Sequence, residues 1–427
     1  MSTPMDRRKF LTLAGGGALG ALATFRIASA ALAPSPGRGY VPPGIRSVPP
    51  GVKSIQFAGT DGWIAMPEGS QAFAPWFPDV LAPDPTVDTY AFGFRNVTGL
   101  TRAQVEAQRG VTQASGPLIW VEAGKELWVT LSNLGLSLRP DLVDSHTVHW
   151  HGFRNAIPFY DGVPETSISV PIGRDFTYVY KPELDAAGTY MYHCHFEDVE
   201  HVTMGMTGIV FVTPPGAPAQ AYADPSTAFD RQYAIILTEI DSRAHFNDAH
   251  IQATDWTVSR PNFWLMNGRA YPDTLQPNCT QASDGTPLGP TGQPGERLAH
   301  QPNSSLIVCK PGEKVLVRLA NLGFQEHSLT LPGIPMRVAG NDARFLGEHT
   351  TSTVDTVDIG PGESRDVLFT APNREGTYPL FNRDMAKYPG NGSGDKWYGG
   401  QRTHVVVKSG IGTQPVDQPN WWDPAWL

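Results

Sequence analysis

The stretch Tyr192 to Met206, YHCHFEDVEHVTMGM, holds His193, Cys194, His195, His201 and Met206. A thiolate, imidazoles and a thioether suit a copper ion that cycles between two oxidation states. One imidazole is missing from that set, and HTVHWHG at 146–152 can supply it. Six of the twelve histidines fall between 146 and 201, a density that surface histidines do not produce.

Strand geometry sorts these residues. Side chains alternate between the faces of a strand, so His193 and His195 point one way and Cys194 the other. His149 and His151 share a face, with Trp150 opposite. His146 lies on the face suited to Cys194. Two groups result. One is His146, Cys194, His201 and Met206, with Met204 as the competitor for the axial position. The other is His149, His151, His193 and His195, four imidazoles suited to copper ions that handle dioxygen. The backbone of Cys194 joins the groups and offers an electron path. Glu197, Asp198 and Asp161 are candidate proton donors or partners of the ligands. A zinc site would rarely keep a methionine or use six histidines in this order.

The elements that must position these residues are read from an internal repeat. GPLIWVEAGKELWVTLSNLG at 116–135 recurs as SSLIVCKPGEKVLVRLANLG at 304–323. Leu127, Val129 and Leu131, and again Val315, Val317 and Leu319, mark one buried face per strand. His146-Thr147-Val148 pairs with His327-Ser328-Leu329, and Gly188-Thr189-Tyr190 with Gly376-Thr377-Tyr378. The expected fold is all-β, two Greek-key sandwiches in tandem. Abundant glycine (44) and proline (39), with charged residues at 17%, agree with many turns. The expected layout is a signal peptide at 1–33, an arm and irregular region at 34–89, a first domain at 90–215 carrying the metal groups, a linker at 216–228, a second domain at 229–412 and an aromatic tail at 413–427.

The net charge is −9. Arg7, Arg8, Lys9 and Arg26 against Asp6 give the leader +3, which leaves −12 for the rest. That argues against nucleic acid and anionic lipid as partners. Asp6-Arg7-Arg8-Lys9-Phe10-Leu11, the apolar stretch after it and the small residues at 28–33 form a twin-arginine export pattern. A periplasmic or extracellular location and no membrane span in the mature chain are expected. Cys279 and Cys309 either form a disulfide or remain two buried thiols.

At this point the sequence resembles the multicopper oxidase family. HTVHWHG is similar to its HPxHxHG element and YHCHFEDVEHVTMGM to its HCHxxxHxxxxM element, with two more residues between Cys194 and His201. DGVPETS at 161–167 and NFWLMNGRAYPDT at 262–274 also resemble family segments. The resemblance implies cupredoxin-like domains. It makes His146, Cys194, His201 and Met206 type 1 copper ligands, His149 a type 2 ligand, and His151, His193 and His195 type 3 ligands. It further implies one-electron oxidation of phenolic or metal-ion donors coupled to dioxygen reduction, and a homotrimer. Copper nitrite reductases share the layout, and His327 resembles their second catalytic histidine. In the second domain, Thr330, Pro332 and Phe381-Asn382-Arg383 stand where cluster ligands would be. Two other functions therefore stay open: nitrite reduction, and electron transfer or copper binding without a competent cluster.

Overall fold

The computed structural model describes residues 48–69, 76–154, 157–347, 349–387, 400–415 and 419–420. The export signal and the aromatic residues 421–427 lie outside them.

In the first half the strands are β1 (Lys53–Ala65), β2 (Asp88–Asn96), β3 (Ile119–Glu122), β4 (Leu127–Asn133), β5 (His149–His151), β6 (Asp175–Tyr180), β7 (Gly188–His193) and β8 (Thr207–Thr213). They form two sheets, ordered β2-β1-β4-β6 and β3-β8-β7-β5. Phe57, Val129, Leu131, Tyr192 and Val210 belong to the core between them. Leu127, Val129 and Leu131 are fully buried, as their alternation requires.

The expected irregular region at 34–89 is corrected here. From Lys53 it holds a 13-residue strand that sits between β2 and β4, antiparallel to one and parallel to the other. Gly59, Asp61 and Gly62 hide it from a sequence reading, because strands disfavour these residues. Each has a packing reason. A Cβ on Gly59 would meet His146. The buried Asp61 carboxylate accepts from the Ser137 and Leu138 amides, both at 2.7 Å, and from the Tyr90 hydroxyl.

The second half adds β9 (Arg231–Ile240), β10 (Phe263–Met266), the short pair β11 (Thr280–Gln281) and β12 (Pro287–Leu288), β13 (Ile307–Cys309), β14 (Lys314–Asn321), β15 (His327–Thr330) and β16 (Met336–Asn341). It ends with β17 (Arg344–Phe345), β18 (Ser352–Val354), β19 (Thr356–Ile359), β20 (Ser364–Thr370), β21 (Gly376–Asn382) and β22 (Arg402–Val407). The sheets run β10-β9-β14-β20-β16-β17 and β13-β22-β21-β15-β19. The repeat thus extends to pairing: β14 lies parallel to β9 and antiparallel to β20, as β4 does to β1 and β6. Its Asn-Leu-Gly signature has a shared role. Asn133 Nδ2 donates to the carbonyls of Asp144 and Val170, and Asn321 Nδ2 to those of Gln325 and Ile359.

Among the described residues three short α-helices flank the sheets: α1 (Arg102–Glu106), capped by Thr101, α2 (Asp198–Met204) and α3 (Ser242–Ala249). Buried polar contacts tie the sandwiches together. Thr189 Oγ1 and the Tyr222 hydroxyl each donate to Asp366 at 2.6 Å, beside Arg318. Tyr222 comes from the expected linker, which packs into the core. The described part of the tail also docks, with Asn420 bonded to the backbone of Ala234. Cys279 and Cys309 are free buried thiols, so the disulfide alternative is withdrawn. Burial raises both, Cys309 to about 12.

Candidate metal centre

Cys194 follows the last residue of β7, and its amide donates to Met206 O, which fixes where α2 returns to the sheet. His146 arrives through a bridge to Val170, and its main chain bonds Val170 in both directions. His201 lies in the last turn of α2, and Gly205, at φ 119, ends the helix in the left-handed region. These elements converge. Cys194 Sγ lies 3.2 Å from His201 Nδ1 and 4.0 Å from His146 Nδ1. The Thr147 amide donates to the same sulfur at 3.4 Å. His146, Cys194, His201 and Met206 are all fully buried. Met206 Cε and His146 both touch the place a Cβ on Gly59 would take. Met204 instead lines an enclosed cavity of about 20 Å³ with Ile64, Thr238 and His245. The geometry therefore favours Met206 over Met204 beside the thiol.

Burial works against charge at both Cys194 and His201. The neighbouring imidazoles outweigh it and hold the thiol well below its ordinary value, while the thiolate helps push His201 up to about 10. A preformed thiolate is what a metal needs as ligand. The outer nitrogens of both imidazoles are buried with no hydrogen-bond partner, and Asp144 Oδ2 lies 3.6 Å from His201 Nε2. Asp144 was missed in the sequence, where a lone acid before a histidine carries no signal.

The second group forms across the β5–β7 pair, where His149 faces His193 in register. His149 ring centroids stand 6.0, 5.2 and 5.2 Å from those of His151, His193 and His195. His149 Nδ1–H donates to Asp161 O at 2.7 Å, and His193 Nδ1–H to Cys194 O at 2.9 Å. Each bond leaves Nε2 free to ligate. His151 Nδ1 and His193 Nε2 converge to 3.4 Å. Burial lowers the pKa of His149 and His151, and takes His193 to about 3. These imidazoles stay neutral at pH 7, the state that binds metal. Both groups fit copper: the first by its soft donors and orphaned nitrogens, the second by converging neutral imidazoles.

The acids separate. Asp161 is placed to orient His149, with its carboxylate 3.6 Å away. Glu197 and Asp198 are exposed at the start of α2, and Glu197 lies beside His201. Of the two roles expected of these acids, that placement supports partner of a ligand for Glu197. His327 is corrected. It is fully buried in the second sandwich, with Nε2 2.7 Å from Glu239 and Nδ1 accepting from Asn382 at 3.1 Å. Neither ring nitrogen is available to a shared site. In the same sandwich Thr330 pairs with Phe381, the counterpart of the His149–His193 pair.

Two family models match the chain, both described as multicopper oxidase, over residues 99–217 and 241–410. A laccase-like multicopper oxidase 1 of Thermothelomyces thermophilus is 25% identical over 303 residues, covering 61% of this chain and 41% of the relative. An L-ascorbate oxidase of Nicotiana tabacum is 26% identical over 262 residues, covering 60% and 41%. The chain thus spans about two fifths of these curated relatives. Among solved structures, a blue copper oxidase from Nitrosomonas europaea shares the fold with a TM-score of 0.57 and 23% identity, covering 83% of this chain and 86% of the other. A copper nitrite reductase from the same organism gives 0.52 and 18%, covering 86% and 99%.

Proposed function

Because this chain belongs to the multicopper oxidase family, we propose that it is a copper-dependent oxidoreductase that moves single electrons from a reduced small donor to dioxygen. The observation that carries the reading is the adjacency of the two groups. Cys194 Sγ faces the first group, while its carbonyl accepts from His193 Nδ1 of the second. That is one covalent path and one hydrogen bond between them.

Copper bound at the first group would supply a one-electron couple, and copper at the second would supply dioxygen reduction. The chain's residues do the rest. His146, Cys194, His201 and Met206 form a dry, preset donor set, so little has to rearrange when charge changes. Asp161 holds the His149 ring by its carbonyl, and Thr147 Oγ1 accepts from the His195 amide at 2.8 Å. Burial keeps His149, His151 and His193 unprotonated.

Oxygen uptake by the copper-loaded chain with a reduced donor tests the reading. Full loading without uptake would sink it. Export by the twin-arginine route belongs to the same proposal and rests on Arg7-Arg8 and the apolar stretch after them. Among the described residues no helix is long and apolar enough to cross a membrane. A homotrimer rests on likeness to two-domain oxidases, and the mass of the assembly in solution decides it.

A further inference from the structure

The four imidazoles of the second group are not equivalent. Ligand atoms of His149, His151 and His193 all lie within 4.8 Å of one another, and His195 is not among them. Within that trio His151 Nδ1 and His193 Nε2 stand 3.4 Å apart. That is long for a hydrogen bond between ring nitrogens. It matches the edge of a metal's coordination tetrahedron, since bonds of about 2.0 Å place two donors about 3.3 Å apart. The other nitrogens are prepared for the same point. Asp161 O takes His149 Nδ1–H and Cys194 O takes His193 Nδ1–H, so Nε2 of each ring is unprotonated. His195 differs. Its ring runs alongside that of His193, 27° from parallel with centroids 5.5 Å apart.

A further ion would need further donors, and the second sandwich offers poor ones. His151 Nε2 faces Gly362, where a Cβ would lie 3.4 Å away. Asp342, the acid within electrostatic range of His151, is engaged by the Ser364 amide at 2.9 Å and by Arg365. At the repeat counterparts, the Thr330 hydroxyl donates to Asp355 O, Asn382 is bonded to His327 and Gln401, and Arg383 is a cation. Six histidines lie outside the two groups. Of these, His245 is bonded to Tyr90 O, His250 to Asp79, His300 to Thr112 O and His327 to Glu239. His349 is exposed on the loop after β17, and His404 is half-buried beside the Tyr271 ring. Those two are the rings that a neighbouring copy could bring.

We propose that the second group is a one-ion site, in which His149, His151 and His193 hold a single copper and His195 stands beside it without ligating. The proposal rests on the reading of both groups as copper sites. The chain then carries two copper ions, and fully reduced it holds two electrons. With two protons, that number takes one dioxygen to hydrogen peroxide, and the O–O bond stays intact. The four electrons that two waters require are never present together. Each peroxide formed consumes one electron from each of two donor molecules.

The experiment uses the copper-saturated, air-oxidised full chain, read by elemental analysis and by counting unpaired spins with paramagnetic resonance. Two copper ions and two spins per chain are expected, one of them blue. His193→Ala should halve the copper content and keep the blue band, and His151→Ala gives the same reading should the first variant fail to fold. His195→Ala, and His349→Ala combined with His404→Ala, should keep both ions. With hexacyanoferrate(II) as the one-electron donor, one hydrogen peroxide should appear for each dioxygen consumed. Three or more copper ions per chain, fewer spins than ions, loss of an ion in His195→Ala, or dioxygen consumed without peroxide overturns the proposal. Two ions and two spins with no oxygen uptake would remove the oxidase reading and leave the one-ion site standing.

Discussion

Cys194 and Asn382 occupy corresponding places in the two sandwiches, each following or ending the strand that starts at Gly188 or Gly376, and each facing a histidine from the neighbouring strand region. Around Cys194 the polar atoms converge only partly satisfied: the sulfur meets His201 Nδ1 at 3.2 Å and His146 Nδ1 at 4.0 Å, while both outer ring nitrogens lack a hydrogen bond. Around Asn382 they are satisfied. Asn382 donates to His327 and Gln401, and Glu239 meets His327 and accepts the amides of Phe324 and Gln325. One scaffold therefore carries two kinds of buried polar centre. Unpaired buried donors are costly unless a ligand answers them, and a closed hydrogen-bond network leaves nothing for a ligand to answer. The difference separates a metal site from a structural one more sharply than the count of histidines does.

The comparison can be broken most severely at the thiol. Cys194→Ser should abolish the blue absorption and lower copper content by one ion per chain, read by absorbance and elemental analysis. His327→Leu, in the other sandwich, should leave copper content unchanged. Retained blue colour in the serine variant, or copper loss in the leucine variant, would reverse the assignment.

Acid should act most on the imidazole group of the first sandwich, with His245, His300 and His404, also lowered by burial, adding in the same direction. His193 has an ordinary value of 6.5 and a folded value of about 3. Above pH 6.5 the folded and unfolded forms are both neutral there, and the contribution to stability is complete. As pH falls, the unfolded chain takes up a proton that the fold refuses. Stability of the copper-free protein should then drop by roughly 4 kcal/mol by pH 3, with His149 and His151 adding in the same direction. Denaturant titration of copper-free protein at pH 7 and pH 4 checks the sign. Greater stability at pH 4 would contradict it.

Two glycines compare the packing. A Cβ on Gly59 would come within 2.6 Å of His146, and one on Gly323 within 2.2 Å of the Glu239 carboxylate. Gly59→Ala and Gly323→Ala should each cost about 1–3 kcal/mol by overpacking, but only the first should perturb the blue band. The smallest effect belongs to His327→Leu as a stability variant. It removes one partner each from Glu239 and Asn382, which keep their bonds to the Phe324 and Gln325 amides and to Gln401, at about 1–3 kcal/mol before relaxation, seen as a lower thermal midpoint.

Much of this was legible in the sequence. The fold class, the repeat and the partition of His193, Cys194 and His195 follow from period-two alternation, which depends only on local backbone geometry. β1 was not legible, because Gly59, Asp61 and Gly62 are chosen by neighbours distant in the chain. Asp144 and Asp61 were likewise invisible, since their roles exist only once remote segments meet.

The sequence by itself determined which residues can ligate copper and which sandwich carries them, because donor type and strand parity are local properties. Only the tertiary structure decided that Met206 rather than Met204 lies beside Cys194. It alone decided that His327 is tied to Glu239 and Asn382 and that His201 is fully buried beside Asp144. Those outcomes depend on contacts between residues scores of positions apart, where distance and burial, and not residue type, set what a side chain can do.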